Sequence, residues 1–184
     1  MRNVIRAILA AAGIAAIYTF GTSVIAGGSE VGDQGKAPEF ANIDHWFNSE
    51  PLTMQQLRGK VVLVDFWTYS CINCVNTLPY VKQWHEKYKD QGLVVVGVHT
   101  PEFPFEKSTD NVQAALKRFD IRYPVAQDNM YATWSAFRNQ YWPATYLIDA
   151  NGRIVYQHYG EGRYKETEAE IQKLLTERKA VQMQ

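Results

Sequence analysis

A pair of cysteines between a predicted strand and a predicted helix constrains this sequence more than any other feature. Cys71 and Cys74 are separated by two residues. The run before them, residues 61–67, is apolar and rich in β-branched and aromatic residues, which is typical of a strand covered on both faces. Apolar residues at helical spacing follow the pair as far as Gly92, which suits a helix C-cap. The sequence therefore predicts a dithiol at the N-terminus of a helix that leaves a central strand.

Beyond this junction the chain continues to alternate between predicted strands and helices. The patterns predict a buried strand over 93–98, a helix capped by Ser108, a short helical segment around Trp134, a hairpin of strands 144–149 and 153–159, and a final amphipathic helix over 164–178. In the short segment we expect one apolar side made of Met130, Trp134, Phe137 and Tyr141. This order predicts an α/β fold with a central mixed sheet and helices on both faces.

The composition indicates one globular domain. The chain has 184 residues, of which 46% are hydrophobic and 13% aromatic, so it can bury one core and is too apolar to be disordered. Its 19 basic and 19 acidic residues give no positive field that would hold a nucleic acid. We therefore expect no nucleic-acid partner.

The N-terminus has the pattern of a targeting segment. Arg2 and Arg6 precede an uncharged apolar run, and residues 24–26 have the small-residue spacing that a signal peptidase accepts. The same run is long enough to span a bilayer, so residues 1–26 are a signal peptide or an N-terminal anchor that crosses the membrane with residues 7–26. A buried core helix is a third interpretation. Residues 27–36 are predicted to be a linker and residues 37–184 an exported domain, periplasmic or extracytoplasmic.

The spacing and position of the cysteines favour redox chemistry. A helix N-terminus stabilises a thiolate in its first turn, so we expect Cys71 to attack a disulfide and Cys74 to resolve the mixed disulfide. Three other interpretations are a zinc site, a structural disulfide and two unrelated buried thiols. Zinc would need two more ligands, and so short a loop would constrain the unfolded chain little. We expect no metal and no cofactor.

At these residues the chain resembles the thioredoxin superfamily. Residues 62–67, Cys71, Cys74 and Pro79 are similar to its active-site segment, and residues 142–145 to its cis-proline loop. The resemblance covers about residues 37–178. The export segment, the lead-in at 52–60, the approach at 67–71 and the extra helix between Pro101 and Pro124 are similar to the exported, redoxin-type branch typified by TlpA, ResA and the C-terminal domain of DipZ. The resemblance implies a thioredoxin-like fold with an extra βα insertion before the cis-proline loop.

The resemblance also implies roles for individual residues. Pro143 would follow a cis peptide bond and lie against Cys71, and Asp65 would be a buried carboxyl that exchanges a proton with Cys74. Glu102 falls where some members of the branch have an acidic residue beside the dithiol. A strand-entry proline, an aspartate that reaches solvent and a plain loop carboxylate are the respective alternatives. Three aromatic residues are expected to line the substrate groove because they lie close in sequence to the dithiol and to Pro143, with a position in the core as the alternative: Trp67, Tyr69 and Trp142.

The resemblance implies a thiol:disulfide oxidoreductase that acts reductively on exported proteins with cysteine pairs, including apocytochromes c. A membrane or periplasmic redox partner would recharge it. Ile72 and Asn73 bring no cation to hold a thiolate, which argues against a strongly oxidising poise. A peroxidase and a copper carrier are the rival functions. A peroxidase would use the Thr68-x-x-Cys71 motif, but the proline that this motif has four residues before the threonine is replaced here by Val64. A copper carrier would need His158 or His99 as a third ligand beside the two cysteines.

Overall fold

A computed structural model of the chain describes residues 30–182. Their strands are β1 (Glu30–Val31), β2 (His45–Phe47), β3 (Val61–Trp67), β4 (Leu93–His99), β5 (Val125–Gln127), β6 (Ala144–Ile148) and β7 (Ile154–Tyr159). Their α-helices are α1 (Ile72–Tyr88), α2 (Thr109–Arg118), α3 (Ala132–Ala136) and α4 (Tyr164–Gln182). The strands form one sheet in the order β1-β7-β6-β3-β4-β5-β2. Strands β3, β4 and β5 are parallel and the other pairings are antiparallel, so the predicted mixed sheet is confirmed.

Strand β3 lies in the middle of the sheet and is buried along its whole length. Alternate side chains point to opposite faces, so an apolar strand of this kind needs cover on both sides. One face packs against α1, α2 and α4, and the other against α3 and the segment before β3. The predicted arrangement of helices on both faces is confirmed.

The predicted βα insertion is also present. Helix α2 connects the parallel strands β4 and β5, and the cis-proline loop follows further along the chain. The Ser108 hydroxyl caps α2 by accepting a hydrogen bond from the Asn111 backbone N–H at 3.4 Å. The Trp142–Pro143 peptide bond is cis, which is the isomer that the resemblance implies.

The short helical segment differs from the prediction. Trp134 and Phe137 are buried in the core, as expected, but the side chains of Met130 and Tyr141 are exposed. Helix α3 has only five residues, because Tyr131 before it and Arg138 after it adopt left-handed backbone angles, with φ of 58° and 53°. The helical period therefore does not extend to either exposed residue, and the expectation of one continuous apolar side was wrong.

The segment ahead of the first core residues pairs with the sheet. Beyond β1, the backbone N–H of Gly32 donates to the carbonyl of Val155 at 2.8 Å, and that of Gln34 donates to the carbonyl of Ile154 at 2.9 Å. This contact involves part of the predicted linker, and the boundary of the domain stays a prediction. The predicted export segment, residues 1–26, lies outside the described residues. None of the helices within 30–182 has the length and apolar character needed to cross a membrane.

A glycine in β4 allows close packing beside the central strand, and we expect Gly97→Ala to destabilise the protein. A Cβ at this position would lie 3.1 Å from Trp67 Nε1 and 3.1 Å from Tyr123 Cε2, both on buried rings. Overpacking of this kind lowers the free energy of unfolding by about 1–3 kcal/mol. Urea unfolding of the variant and the wild type measures the difference, and equal midpoints with equal slopes would contradict the expectation.

Candidate active site

Cys71 occupies the cap position of α1. Strand β3 ends at Trp67, the chain turns, and Cys71 adopts an extended conformation with φ −74° and ψ 114° before the helix begins. Its Sγ accepts a hydrogen bond from the backbone N–H of Cys74 at 3.3 Å. A serine or aspartate oxygen commonly makes this contact at a helix N-cap, and the positive end of the helix dipole favours negative charge there. The local geometry therefore stabilises a thiolate on Cys71.

The two cysteines differ in exposure and acidity. Cys71 is partly exposed, whereas Cys74 is only 1% exposed. A hydrogen bond from the Cys74 thiol, followed by the backbone N–H groups of Cys74 and Asn73, lowers the pKa of Cys71 to about 7. Burial is the main cause that raises the pKa of Cys74, and the nearby Cys71 sulfur acts in the same direction. Near neutral pH the partly exposed sulfur therefore has the greater thiolate fraction, and the buried one keeps its proton.

Asp65 lies inside the protein at the same end of the sheet. It is 1% exposed, and burial raises the pKa of its carboxyl to about 8. The Thr145 hydroxyl donates a hydrogen bond to its Oδ1 at 3.5 Å, and the negative charge of Cys71 raises the pKa further. Its own charge in turn raises the pKa of Cys74, which places the carboxyl near the buried thiol. The alternative of an aspartate that reaches solvent is not what the structure shows.

The surroundings of Asp65 explain why its carboxyl is held in the neutral form. In the sheet Asp65 is paired with Gly97 on one side and Thr145 on the other, so these positions share a face with it. The rings of Trp67 and Tyr123 pack over Gly97 on that face. Both rings are fully buried and leave little room for solvation, and a desolvated carboxyl without a cation beside it favours protonation.

The cis-proline loop lies at the end of β3 that leads to the dithiol, since Ala144 after it is paired with Phe66. Pro143 is buried, and the partly exposed Trp142 packs against the same core cluster as Cys71. Trp142 Nε1 donates a hydrogen bond to the carbonyl of Thr100 at 3.0 Å, which ties this loop to the end of β4. The role of Pro143 in shaping a groove for a substrate cysteine stays a prediction.

Glu102 and a second glutamate lie in the loop after β4. The charge of the exposed Glu102 raises the pKa of Cys71, so its carboxylate lies near the dithiol. Glu106, which the sequence did not single out, is fully buried and accepts hydrogen bonds from Ser70 Oγ at 2.5 Å and from the backbone N–H groups of Glu102 and Phe103 at 2.6 and 2.9 Å. Burial alone would raise its pKa, but hydrogen bonds from Ser70 and its other donors lower the pKa overall. Glu106 is therefore ionised, and the hydrogen bond that it accepts from Ser70 holds the residues that lead to Cys71 in place.

The aromatic residues predicted to line a groove have different positions. Tyr69 is partly exposed, and its hydroxyl donates to the carbonyl of Phe105 at 3.0 Å. Trp142 is partly exposed as well. Trp67 is fully buried because its side chain points into the core beneath α1. It supports the site from inside, and the prediction that it lines an exposed groove was wrong.

Neither of the histidines considered as copper ligands, His99 and His158, forms a metal-binding group with the two cysteines in the described part of the chain. The ring of His99 is buried, its Nε2 lies 3.2 Å from the Thr68 hydroxyl, and burial lowers its pKa to about 4. His158 is buried in β7 beside Thr145. Within residues 30–182 no three side chains of the His, Cys, Asp and Glu types are grouped closely enough to hold a metal ion.

Three groups together supply the parts of a thiol exchange. Cys71 presents a partly exposed sulfur of lowered pKa, Cys74 is within hydrogen-bonding reach of it, and Asp65 is a buried carboxyl whose charge acts on Cys74. A thiolate can attack an external disulfide, a neighbouring thiol can displace it, and a nearby carboxyl can take up the released proton.

Comparison with known proteins assigns the domain. Residues 30–175 match the family model described as Redoxin. Protein DipZ of Mycobacterium tuberculosis is 48% identical over 156 residues, which cover 83% of this chain and 22% of DipZ. The chain thus spans about a fifth of the length of that relative. The thiol-disulfide oxidoreductase YkuV of Bacillus subtilis is 33% identical, with 76% of this chain and 94% of YkuV covered.

Solved structures agree with this assignment. A thioredoxin-like protein determined in its oxidised form superposes with a TM-score of 0.70 and 32% sequence identity, covering 77% of this chain and 95% of that protein. The match confirms the thioredoxin-like fold and extends over nearly all of that smaller protein.

The lowered pKa of Cys71 leads to a measurable difference in reactivity. In the reduced native protein we expect iodoacetamide to alkylate Cys71 with a midpoint near pH 7 and to leave Cys74 unmodified, because Cys74 is buried and protonated. Peptide mass spectrometry after timed reaction measures both sites. In urea both thiols should react with a midpoint near 8.5. Equal labelling of the two cysteines in the native protein would contradict the assignment.

The buried carboxyl leads to a prediction about stability. Burial raises the pKa of Asp65 to about 8 in the folded protein, whereas an aspartate in an unfolded chain titrates near 3.9. Between these values the folded state holds a proton that the unfolded chain has released. The contribution of Asp65 to the free energy of unfolding therefore falls as the pH rises from about 4 to about 8, with a slope on the order of 1 kcal/mol per pH unit.

Asp65→Asn is expected to remove this slope and to gain stability relative to the wild type as the pH rises. Urea unfolding of both reduced proteins at pH 5 and pH 8 measures the effect. Asp120→Asn is the matched control, because Asp120 is exposed and forms only a surface ion pair with Arg122. If Asp65→Asn and the wild type showed the same pH dependence, Asp65 would be ionised in the folded protein.

Proposed function

The chain belongs to the Redoxin family, and we propose that it is a thiol:disulfide oxidoreductase that reduces disulfides in exported proteins. The observation that carries the proposal is the pairing of a partly exposed, helix-capping Cys71 with a buried Cys74 that is hydrogen-bonded to it. The named activity of YkuV, a relative matched over almost its full length, supports the same chemistry.

The proposed reaction has two displacement steps. The Cys71 thiolate attacks one sulfur of the substrate disulfide, which forms a mixed disulfide and releases the other substrate sulfur as a thiolate. Cys74 then attacks the Cys71 sulfur, and its proton passes to the ionised form of Asp65. The products are the Cys71–Cys74 disulfide and a substrate dithiol, so two electrons pass from the protein to the substrate. Since the pKa of Asp65 is about 8, part of the population is ionised at neutral pH.

The reductive direction rests on the residues around the thiolate. A strongly oxidising dithiol is one whose thiolate is greatly stabilised, but Ile72 and Asn73 carry no charge and Glu102 disfavours the thiolate. Reduction consumes the dithiol, so a second exported dithiol protein or a membrane redox partner must regenerate it. Residues 1–26 would direct the domain to that compartment as a cleaved signal or as an anchor.

The rival functions gain no support from the described residues. A thiol peroxidase of the Thr-x-x-Cys type would need Thr68 at the reaction centre, but Thr68 is buried and its hydroxyl lies beside His99. A copper carrier would need a histidine beside both thiols, which residues 30–182 do not provide.

Trapping of the mixed disulfide tests the assigned roles. We expect Cys74→Ala to accumulate a stable mixed disulfide with an oxidised protein substrate, because the resolving thiol is missing, and Cys71→Ala to accumulate none. Non-reducing gels and mass spectrometry identify the adduct. The double variant, which has no thiol, is the control. Trapping by Cys71→Ala and not by Cys74→Ala would reverse the roles and contradict the proposal.

A further inference from the structure

The loop between β4 and α2 is fixed against the approach to the dithiol. Tyr69 and Ser70, the two residues before Cys71, donate hydrogen bonds to the Phe105 carbonyl and the Glu106 carboxylate. On its other side the loop receives hydrogen bonds from the side chains of Trp142, to Thr100, and Tyr131, to Pro101. This loop is therefore held at its start, at Thr100 and Pro101, and again at Phe105 and Glu106.

The fixed loop presents two aromatic rings to solvent. Phe103 is 46% exposed and Phe105 is 54% exposed, and their rings stack in parallel with centroids 5.6 Å apart. Burying a phenylalanine side chain stabilises a folded protein, so two exposed rings on an ordered loop forgo a stabilisation that folding would otherwise gain. Ile72, on the other side of Cys71, is exposed too. Apolar surface of this kind beside a reactive group indicates contact with a partner.

An open groove lies beside Phe105. Its walls and floor enclose about 350 Å³ and come from the following side chains: Tyr69, Phe105, Asn111, Ala114, Ala115 and Arg118. The two rings and two alanines make most of the lining apolar. The size is at the lower end of pockets that hold small ligands, which suits one large side chain. We call this set of residues the Tyr69–Arg118 groove.

Arg118 provides a positive charge in this groove. Its guanidinium is exposed, lies over the Phe119 ring at 4.3 Å, and has no carboxylate within ion-pair distance in the part of the chain that the structure describes. Its charge also acts on the Tyr69 hydroxyl, which places it by the ring at the opposite wall. An unpaired guanidinium next to apolar surface is complementary to a carboxylate that follows an apolar side chain.

The position of the groove identifies its occupant. The Cα atoms of Tyr69 and Cys71 are at most about 7.6 Å apart, because two trans peptide units separate them. During exchange the partner is covalently bound at Cys71, so partner residues a few positions from the reacting cysteine reach Tyr69 when extended at about 3.3 Å per residue. The groove is thus continuous with the surface that any substrate of the proposed reaction must cover.

We propose that the Tyr69–Arg118 groove binds the substrate polypeptide next to its reacting cysteine, with an apolar side chain against the rings of Tyr69 and Phe105 and an acidic side chain on Arg118. This inference rests on the proposed exchange at Cys71. It defines the substrate class as exported proteins whose reducible cysteine has an apolar residue and then an acidic residue two to five positions away.

Synthetic peptides with one internal disulfide test the apolar contact. They differ only at the position three residues from the attacked cysteine, which is Phe or Ala, and they carry Asp two residues further on. The measured quantity is the second-order rate constant of reduction by the full-length reduced protein. We expect about tenfold faster reduction of the Phe peptide by the wild type, equivalent to about 1.4 kcal/mol, and a ratio near one with Phe105→Ala. A ratio unchanged by Phe105→Ala would overturn the apolar contact.

A charge exchange tests the acidic contact. With the wild type, the Asp peptide should react several times faster than a peptide with Lys at the same position, and the difference should shrink in high salt. With Arg118→Glu the preference should invert. Lys117→Glu is the matched control, because it makes the same change of charge one residue away on a side chain that lines a different groove, near His45. An equal effect of the two substitutions would overturn the contact with Arg118, because it would show that only the overall charge of this surface affects the rate.

A neutral small disulfide separates this inference from the proposed function. If the wild type fails to reduce 2-hydroxyethyl disulfide, or reduces it equally well as Cys71→Ala, the proposed exchange itself is wrong. If that reaction depends on Cys71 but neither peptide preference appears, the exchange stands and the groove has another role. Sedimentation velocity tests whether a second copy of the chain occupies the groove. Dimers that form with rising concentration in the wild type and are absent in Phe105→Ala would show this and would overturn the proposal.

Discussion

The site depends on the position of Cys71 at the N-cap of α1. A cap must face the free backbone N–H groups of the first turn, and here a sulfur accepts the N–H of Cys74 at 3.3 Å. Because a helix advances about one turn in three to four residues, the same geometry brings the Cys74 side chain beneath Cys71. Strand β3 fixes where α1 begins, since its buried length leaves it no freedom to shift. The different acidities of the two thiols follow from this one junction.

Burial of Asp65 extends this asymmetry into the sheet. The Asp65 carboxyl is desolvated and accepts one long hydrogen bond, from Thr145, so its ionised form is unfavourable in the folded protein. The same apolar core that stabilises the protein therefore keeps a proton on Asp65. Gly97 on the neighbouring strand contributes by having no side chain, which lets the rings of Trp67 and Tyr123 close over the site. The apolar packing that holds the sheet together thus sets the proton affinity of the group beside Cys74.

The sequence predicted the parts of the fold that are locally encoded. Residues 61–67 and 93–98 have the apolar runs of central strands, and the turn at Asn151-Gly152 forms the expected hairpin, with φ of 71° at the glycine. Glu106 was not predicted, because its partner Ser70 lies 36 positions away and nothing nearby distinguishes it from Glu102. The exposed Met130 was misplaced for a related reason, since a left-handed residue interrupts a pattern that the sequence alone extends.

The polar anchoring of the loop after β4 accounts for its apolar surface. Glu106 satisfies backbone N–H groups inside the loop and bonds to Ser70, so the loop is ordered without using its aromatic side chains. Had Phe105 supplied the anchor by burial, its ring would have lost contact with solvent and the groove beside Tyr69 would have had no outer wall. A buried carboxylate is therefore what allows a rigid loop to keep two aromatic rings outside, at the edge where a substrate chain must pass.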